Sequence, residues 1–165
     1  MRRKLPLLIL TLVAVTALAE KKPPTTEALQ AEAQRLKIAA DAATGERCAE
    51  VCLQAAVQLT ELSNRNFTEG HVAAAHANMA DAGRYAIKAA YESMESHKRQ
   101  KKTEIGLRKL TARMKDIMQT LDFDDRPPIR QVMNSIEKAR TDLLSSMFGN
   151  PKKSFEQPES KKEKR

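Results

Sequence analysis

From Val72 onward, apolar residues return in steps of three and four: Val72, Ala75, Met79, Ala82, Ala86 and Ala89. That spacing lays all of them along one side of an α-helix but scatters them over both faces of a strand, so it commits the segment to helix. Most members of the seam are Ala. Small residues on a seam let two helices approach closely, so this face is expected against a neighbouring helix and not over a roomy pocket.

The same spacing recurs along the chain. After Lys21-Lys22-Pro23-Pro24, Thr25 or Thr26 offers an N-cap with Glu27 in the first turn, and Leu29, Ala33, Leu36, Ala40 and Ala43 follow as one stripe. Thr44-Gly45 interrupts it, and the next set (Cys48, Cys52, Ala55, Leu59, Leu62) is out of phase, which fits either a break or a continuing helix with a rotated face. This segment is expected to end near Phe67, with Gly70 suited to a left-handed position just past the helix. Beyond the Ala seam, the basic patch Lys98-Arg99-Gln100-Lys101-Lys102 leads into Leu107, Leu110, Met114, Ile117 and Leu121. No Pro and only Gly106 interrupts that stretch, which predicts one long, kinked helix through the patch. Asp122-Phe123-Asp124-Asp125-Arg126-Pro127-Pro128 starts another helix, its aspartates read as cap residues that also pair with Arg126. Ile129, Val132, Ile136, Ala139, Leu143 and Met147 carry its stripe to Gly149-Asn150-Pro151.

The expected fold class is therefore all-α, an antiparallel bundle of three to four long helices over residues 26–149. Composition agrees: aromatics are 4% of the chain, there is no Trp and there are five Gly, which excludes a strand-rich sandwich and a Gly-rich nucleotide fold.

Residues 1–19 read as a secretory signal peptide: Met-Arg-Arg-Lys, an apolar run from Leu5, and Ala17-Leu18-Ala19 before Glu20. The run is short for a permanent span, so no membrane span is expected after cleavage. The protein is accordingly expected to be periplasmic or secreted. Residues 20–25 are a linker, and residues 150–165 a disordered basic tail. The formal net charge of +8 divides among these parts. Three positive charges leave with Arg2, Arg3 and Lys4, and the tail from Pro151 carries six bases and three acids, so the bundle together with its leading linker keeps only about +2.

Cys48 and Cys52 are the only cysteines. Four residues apart on a helix, their thiols share a face, which suits a soft metal ion such as Cu(I) or Zn(II) better than a strain-free disulfide. Met and His could complete such a site, with His71 or His76 on the following helix. The pair resembles the Cys-x-x-x-Cys motifs of helical copper-binding bundles, which usually repeat the motif. Their place in an apolar stripe equally describes two buried core thiols, and a disulfide within or between chains is a third reading. No Glu-x-x-His or His-Glu-x-x-His motif is present, and no cofactor is expected. Gly-x-Ser-x-Gly and Gly-rich phosphate loops are missing too, so the chain is expected not to be an enzyme. No aromatics interleave with the basic segments, so nucleic acid is not expected as a partner; weak contact with an anionic envelope surface or polyanion remains a reading of those charges.

Leu62 to Ala82 resembles one tetratricopeptide-like helical hairpin: Ser63 follows Leu62, Gly70 sits at the turn, and Ala75, Met79 and Ala82 supply the small, large and small packing residues of the second helix. Phe67 lies beside the usual aromatic position, and no second copy follows at a period of about 34 residues. The resemblance implies helix-turn-helix geometry and binding of a protein or peptide. Leu59-Thr60 and Leu110-Thr111 resemble the start of the Leu-Thr-x-x-Gln signature of small periplasmic helical chaperones, but neither reaches the Gln.

The function expected from these readings is a non-enzymatic interaction protein, adaptor-like or chaperone-like, whose partner is another protein or a copy of itself. The groove near the Gly70 turn is the expected face, with Phe67, His71, Tyr85 and Tyr91 as anchors. The competing function is a metal-binding or thiol-redox protein centred on Cys48 and Cys52.

Overall fold

The computed structural model describes residues 24–149. The signal peptide of residues 1–19, most of the linker and the tail of residues 150–165 lie outside the described residues. Those described are all-helical, in the order α1 (Thr26–Ala42), α2 (Gly45–Thr68), α3 (Val72–Ser96), α4 (Gln100–Thr120), a 3-10 turn at Phe123–Asp125, and α5 (Arg126–Phe148).

Each boundary has a local cause. The Thr25 side chain accepts a hydrogen bond from the Ala28 N–H at 3.3 Å and so caps α1. The chain does break at Thr44-Gly45: Ala43 and Thr44 are extended, and Gly45 takes φ +57. At the end of α2, Gly70 adopts φ +79, its N–H reaches the Phe67 carbonyl at 3.1 Å, and the His71 N–H reaches Asn66 at 2.8 Å. Those two bonds are the Schellman closure, which needs a left-handed residue at that position. Pro127 and Pro128 fall in the first turn of α5, where their missing N–H groups cost nothing.

Two expectations are corrected. The long helix through the basic patch is two helices, and α3 and α4 meet at His97-Lys98-Arg99, where His97 (φ 52) and Arg99 (φ 57) are left-handed. The Ser93 hydroxyl donates to the Lys98 carbonyl at 2.6 Å, and Arg99 is held by Glu50 of α2 at 2.7 Å, so side-chain bonds offset a conformation that costs about 1–2 kcal/mol per non-Gly residue. The described residues thus hold five helices in place of three or four. The second correction concerns the aspartates before α5. Neither Asp122 nor Asp125 makes a side-chain cap bond. The Arg126 guanidinium donates to the Leu121 carbonyl at 2.9 Å, and Asp125 pairs with His76 instead.

Packing follows the seams. Helices α2 and α3 share the most extensive contact, α1 lies on α2, and α5 lies on α3 and α4. Every residue of the Cys48/Cys52/Ala55/Leu59/Leu62 stripe is buried, as are Ala75, Met79, Ala82, Ala86 and Ala89 of α3. Gly83 extends the α3 seam with no side chain at all, and Val132 Cγ1 of α5 lies only 2.6 Å from where its Cβ would be.

Candidate functional site

Three places gather chemistry. The first is the joint between α1 and α2. Cys48 and Cys52 are free thiols with no exposed surface, and their sulfurs lie 3.0 Å apart. Both face the carbonyl oxygen of Ala40, at 3.7 and 3.9 Å. That carbonyl belongs to the last turn of α1 and has no acceptor role within the helix, so it takes outside donors. Lys88 of α3 also donates to it, at 2.9 Å. Nearby, Glu92 accepts the Gly45 N–H at 2.7 Å and so anchors the start of α2. Burial, together with the adjoining Cys48 thiol, pushes the Cys52 thiol far above its ordinary range. Cys52 is therefore held as a thiol near neutral pH and is a poor nucleophile.

Beside this joint, Tyr85 is buried and its hydroxyl donates to the Asp41 carboxylate at 3.0 and 3.1 Å. Desolvation first, and the bond to Asp41 second, raise the phenol to about 12. Tyr85 is thus a structural strut between α3 and α1, not an exposed anchor.

The second place is the α2–α3 turn. Phe67 is half-buried and meets the His76 ring edge-on, with centroids 5.1 Å apart. His76 Nε2 lies 3.1 Å from Asp125, which ties α3 to the start of α5, while His76 Nδ1 is buried without a partner. Because a carboxylate only accepts, Nε2 is the ring nitrogen that donates to Asp125. His71 is exposed at the start of α3 and caps nothing with its side chain. It borders a cleft of about 770 Å³ between the start of α1 and the α2–α3 turn. The polar groups there already serve one another: Thr26 donates to Glu69 at 2.6 Å, and Arg65 reaches the Pro24 carbonyl at 3.4 Å.

The structure therefore does not assemble the four expected anchors. Phe67 and His71 flank the turn, but Tyr85 is buried farther along α3, and the half-exposed Tyr91 lies about 30 Å along that helix from the turn. Nor do the histidines join the cysteines. His76 is committed to Phe67 and Asp125, and about 22 Å of α2 separates Cys52 from Phe67. Among the described residues, no group of three or more His, Cys, Asp or Glu side chains could hold a metal together.

The third place was not foreseen from the sequence. Between α3 and α5 runs an open groove of about 520 Å³, lined chiefly by Met79, Gly83, Ile87, Ile129 and Val132, with His76 and Arg84 among its polar edges. Gly83 lets Val132 of α5 approach α3 closely along its floor, and the one available signal was a glycine inside an otherwise strong helical seam. The basic patch, by contrast, is partly neutralised, since Arg99 pairs with Glu50 while Lys98, Lys101 and Lys102 are exposed. Among the described residues no helix is long and apolar enough to cross a membrane.

Comparison with protein-family models, curated proteins and solved structures gives no match.

Proposed function

We propose that the chain is an exported, antiparallel helical bundle that works without catalysis, binding a second protein in an adaptor-like or chaperone-like role. The observation that carries this reading is the α3–α5 groove, whose apolar walls and open side leave Ile87 and Val132 only half-buried. An amphipathic helix with apolar residues at three-four spacing is the occupant such a groove accepts, and the polar edge at His76, Arg84 and Gln131 would set its orientation. Val72, one turn before His76, and Phe123, two residues before Asp125, add exposed apolar surface near the same end, Phe123 at 78% exposure. The export part of the reading rests on residues 1–19, and the binding part on the groove together with the lack of any catalytic motif.

A photocrosslinker placed at Gln131 in the native envelope tests it, with Gln54 on the exposed side of α2 as the control position. The reading expects one discrete protein adduct from Gln131, absent from Gln54 and lost when Ile87→Lys charges the groove. Adducts that are the same from both positions, or unaffected by Ile87→Lys in a folded protein, would refute it.

A further inference from the structure

The two ends of the bundle carry an inference that does not depend on the groove. We propose that copies of this chain associate end to end, with the Asp122-Phe123-Asp124 turn of one copy seated in the cleft between the start of α4 and the end of α5 of the next.

The projecting half is the 3-10 turn that joins α4 to α5. Phe123 is 78% exposed there and takes no part in the core. Asp122 and Asp124 on either side of it are exposed as well, and among the described residues neither pairs with a cation, whereas Asp125 is taken by His76. Arg126, the cation nearest in sequence, donates to the Leu121 carbonyl instead. An aromatic ring held between two unpaired carboxylates fits a cleft with an apolar floor and a basic rim.

Such a cleft lies at the other end of α4, about 30 Å away. It is open, about 670 Å³ in volume, with the half-buried Ile105 and Met147 as its apolar part and the exposed Lys101 and Lys102 on its rim. Gln100 donates to Ser146 at 3.4 Å and so holds α4 and α5 side by side at this point. Glu46 also borders the cleft, 3.9 Å from Arg99, and Arg99 is taken by Glu50. The ammonium groups of Lys101, Lys102 and the neighbouring Lys98 remain unpaired among the described residues. Phe148, next after Met147, adds apolar surface at 78% exposure, and the six bases and three acids beyond Gly149 add positive charge at the same end.

The occupant is a second copy because one chain carries both halves of the fit. They lie at opposite ends, so each copy uses one end on each of two neighbours, a heterologous contact that repeats into an open row. Two copies laid antiparallel along α4 would also match opposite ends, but the exposed Arg108, Lys109 and Lys115 between those ends would then face their own kind. A contact confined to the end of a bundle belongs to the weak class that buries less than about 1,200 Å².

Sedimentation velocity of the full chain over a series reaching about 1 mM, where weak complexes form, tests this. The expected result is a sedimentation coefficient that keeps rising past the dimer, with association severalfold weaker when salt is raised from about 0.05 M to about 0.5 M. Phe123→Ser and Lys101→Glu/Lys102→Glu should each stay monomeric. All three side chains are exposed, so circular dichroism should report unchanged helicity. Mixed in equal amounts, the two variants bring one intact end each, of opposite kinds, and should form a dimer that grows no further. Ile87→Lys, which charges the α3–α5 groove, should associate like the parent, so failure of the groove leaves this result unchanged. A parent still monomeric at the top of the series, a parent that stops at a dimer, either end variant associating as the parent does, or a mixture that stays monomeric would each overturn the proposal. Association lost with Ile87→Lys in a folded protein would overturn it too, by placing Phe123 in the groove of the second copy.

Discussion

Replacing Gly83 with alanine sets two effects of opposite sign against each other at one position. Alanine is favoured over glycine inside a helix by about 1 kcal/mol. Against that, the new Cβ would stand 2.6 Å from Val132 Cγ1, about 1 Å inside ordinary carbon contact. A valine in a helix has one strongly preferred χ1, so Val132 cannot swing aside cheaply. Either it leaves its rotamer or α3 and α5 move apart, and overpacking of this kind costs about 1–3 kcal/mol. The net expectation is destabilisation of about 1 kcal/mol, or about 4 °C in Tm. In a Val132→Ala background the obstructing Cγ1 is gone and the nearest atom, Val132 Cβ in the parent, is at an ordinary 3.6 Å. There Gly83→Ala should stabilise by about 1 kcal/mol, a reversal of sign and a coupling of about 2 kcal/mol. Urea unfolding of the four proteins, followed by circular dichroism, measures it. Gly83→Ala stabilising both backgrounds alike would show that the α3–α5 approach is not set by this contact.

Tyr85 gives a pH-dependent expectation. An unfolded phenol titrates near 10 and the folded one near about 12, so above pH 10 the folded state holds a proton that the unfolded state has released. Stability is therefore full below pH 10 and falls as pH rises through 12, by up to about 2–3 kcal/mol, and Tyr85→Phe should remove that part of the alkaline loss in denaturant titrations at stepped pH. Arg140 of α5 bridges Glu104 of α4 and Glu137, both at 2.9 Å, and the Glu104 side chain is 14% exposed. Arg140→Met leaves that carboxylate mostly buried and unpaired, so a loss of about 1–3 kcal/mol is expected in thermal melts, with Glu104→Gln recovering part of it; an unchanged Tm would refute the pairing.

The seams were legible because burial follows the helical period. Ile129, Ile136, Ala139 and Leu143 are buried just where three-four spacing puts them, and the Gly70 turn and the Pro-initiated α5 came from residues with restricted or unusual backbone freedom. The α3–α4 break was illegible for the converse reason. His97 and Arg99 are not turn formers, and what holds them left-handed is a Ser93 hydroxyl and a Glu50 carboxylate, the latter distant in sequence. Tyr85 misled in a related way. It lies off the Ala seam, but α3 is covered on more than one side, so a second stripe of the helix is buried and Asp41 meets its hydroxyl. One helical period identifies one buried face and says nothing of how many neighbours a helix has.

That multiple covering also gives α3 two distinct sides. Gly83 and Ile87 turn toward α5, whereas Tyr85 and Lys88 reach back to the last turn of α1. A groove occupant would press on the first side and leave the second, at the α1–α2 joint, untouched. Several cations are engaged between helices: Lys37 with Asp81, Arg99 with Glu50, Arg113 with Glu61 and Arg140 with Glu104. Such pairs fix which helix lies beside which more than they add stability. The proposed groove occupant would therefore be read by shape and apolar contact at α3–α5, and would leave the contacts of Tyr85 and Lys88 with α1 standing.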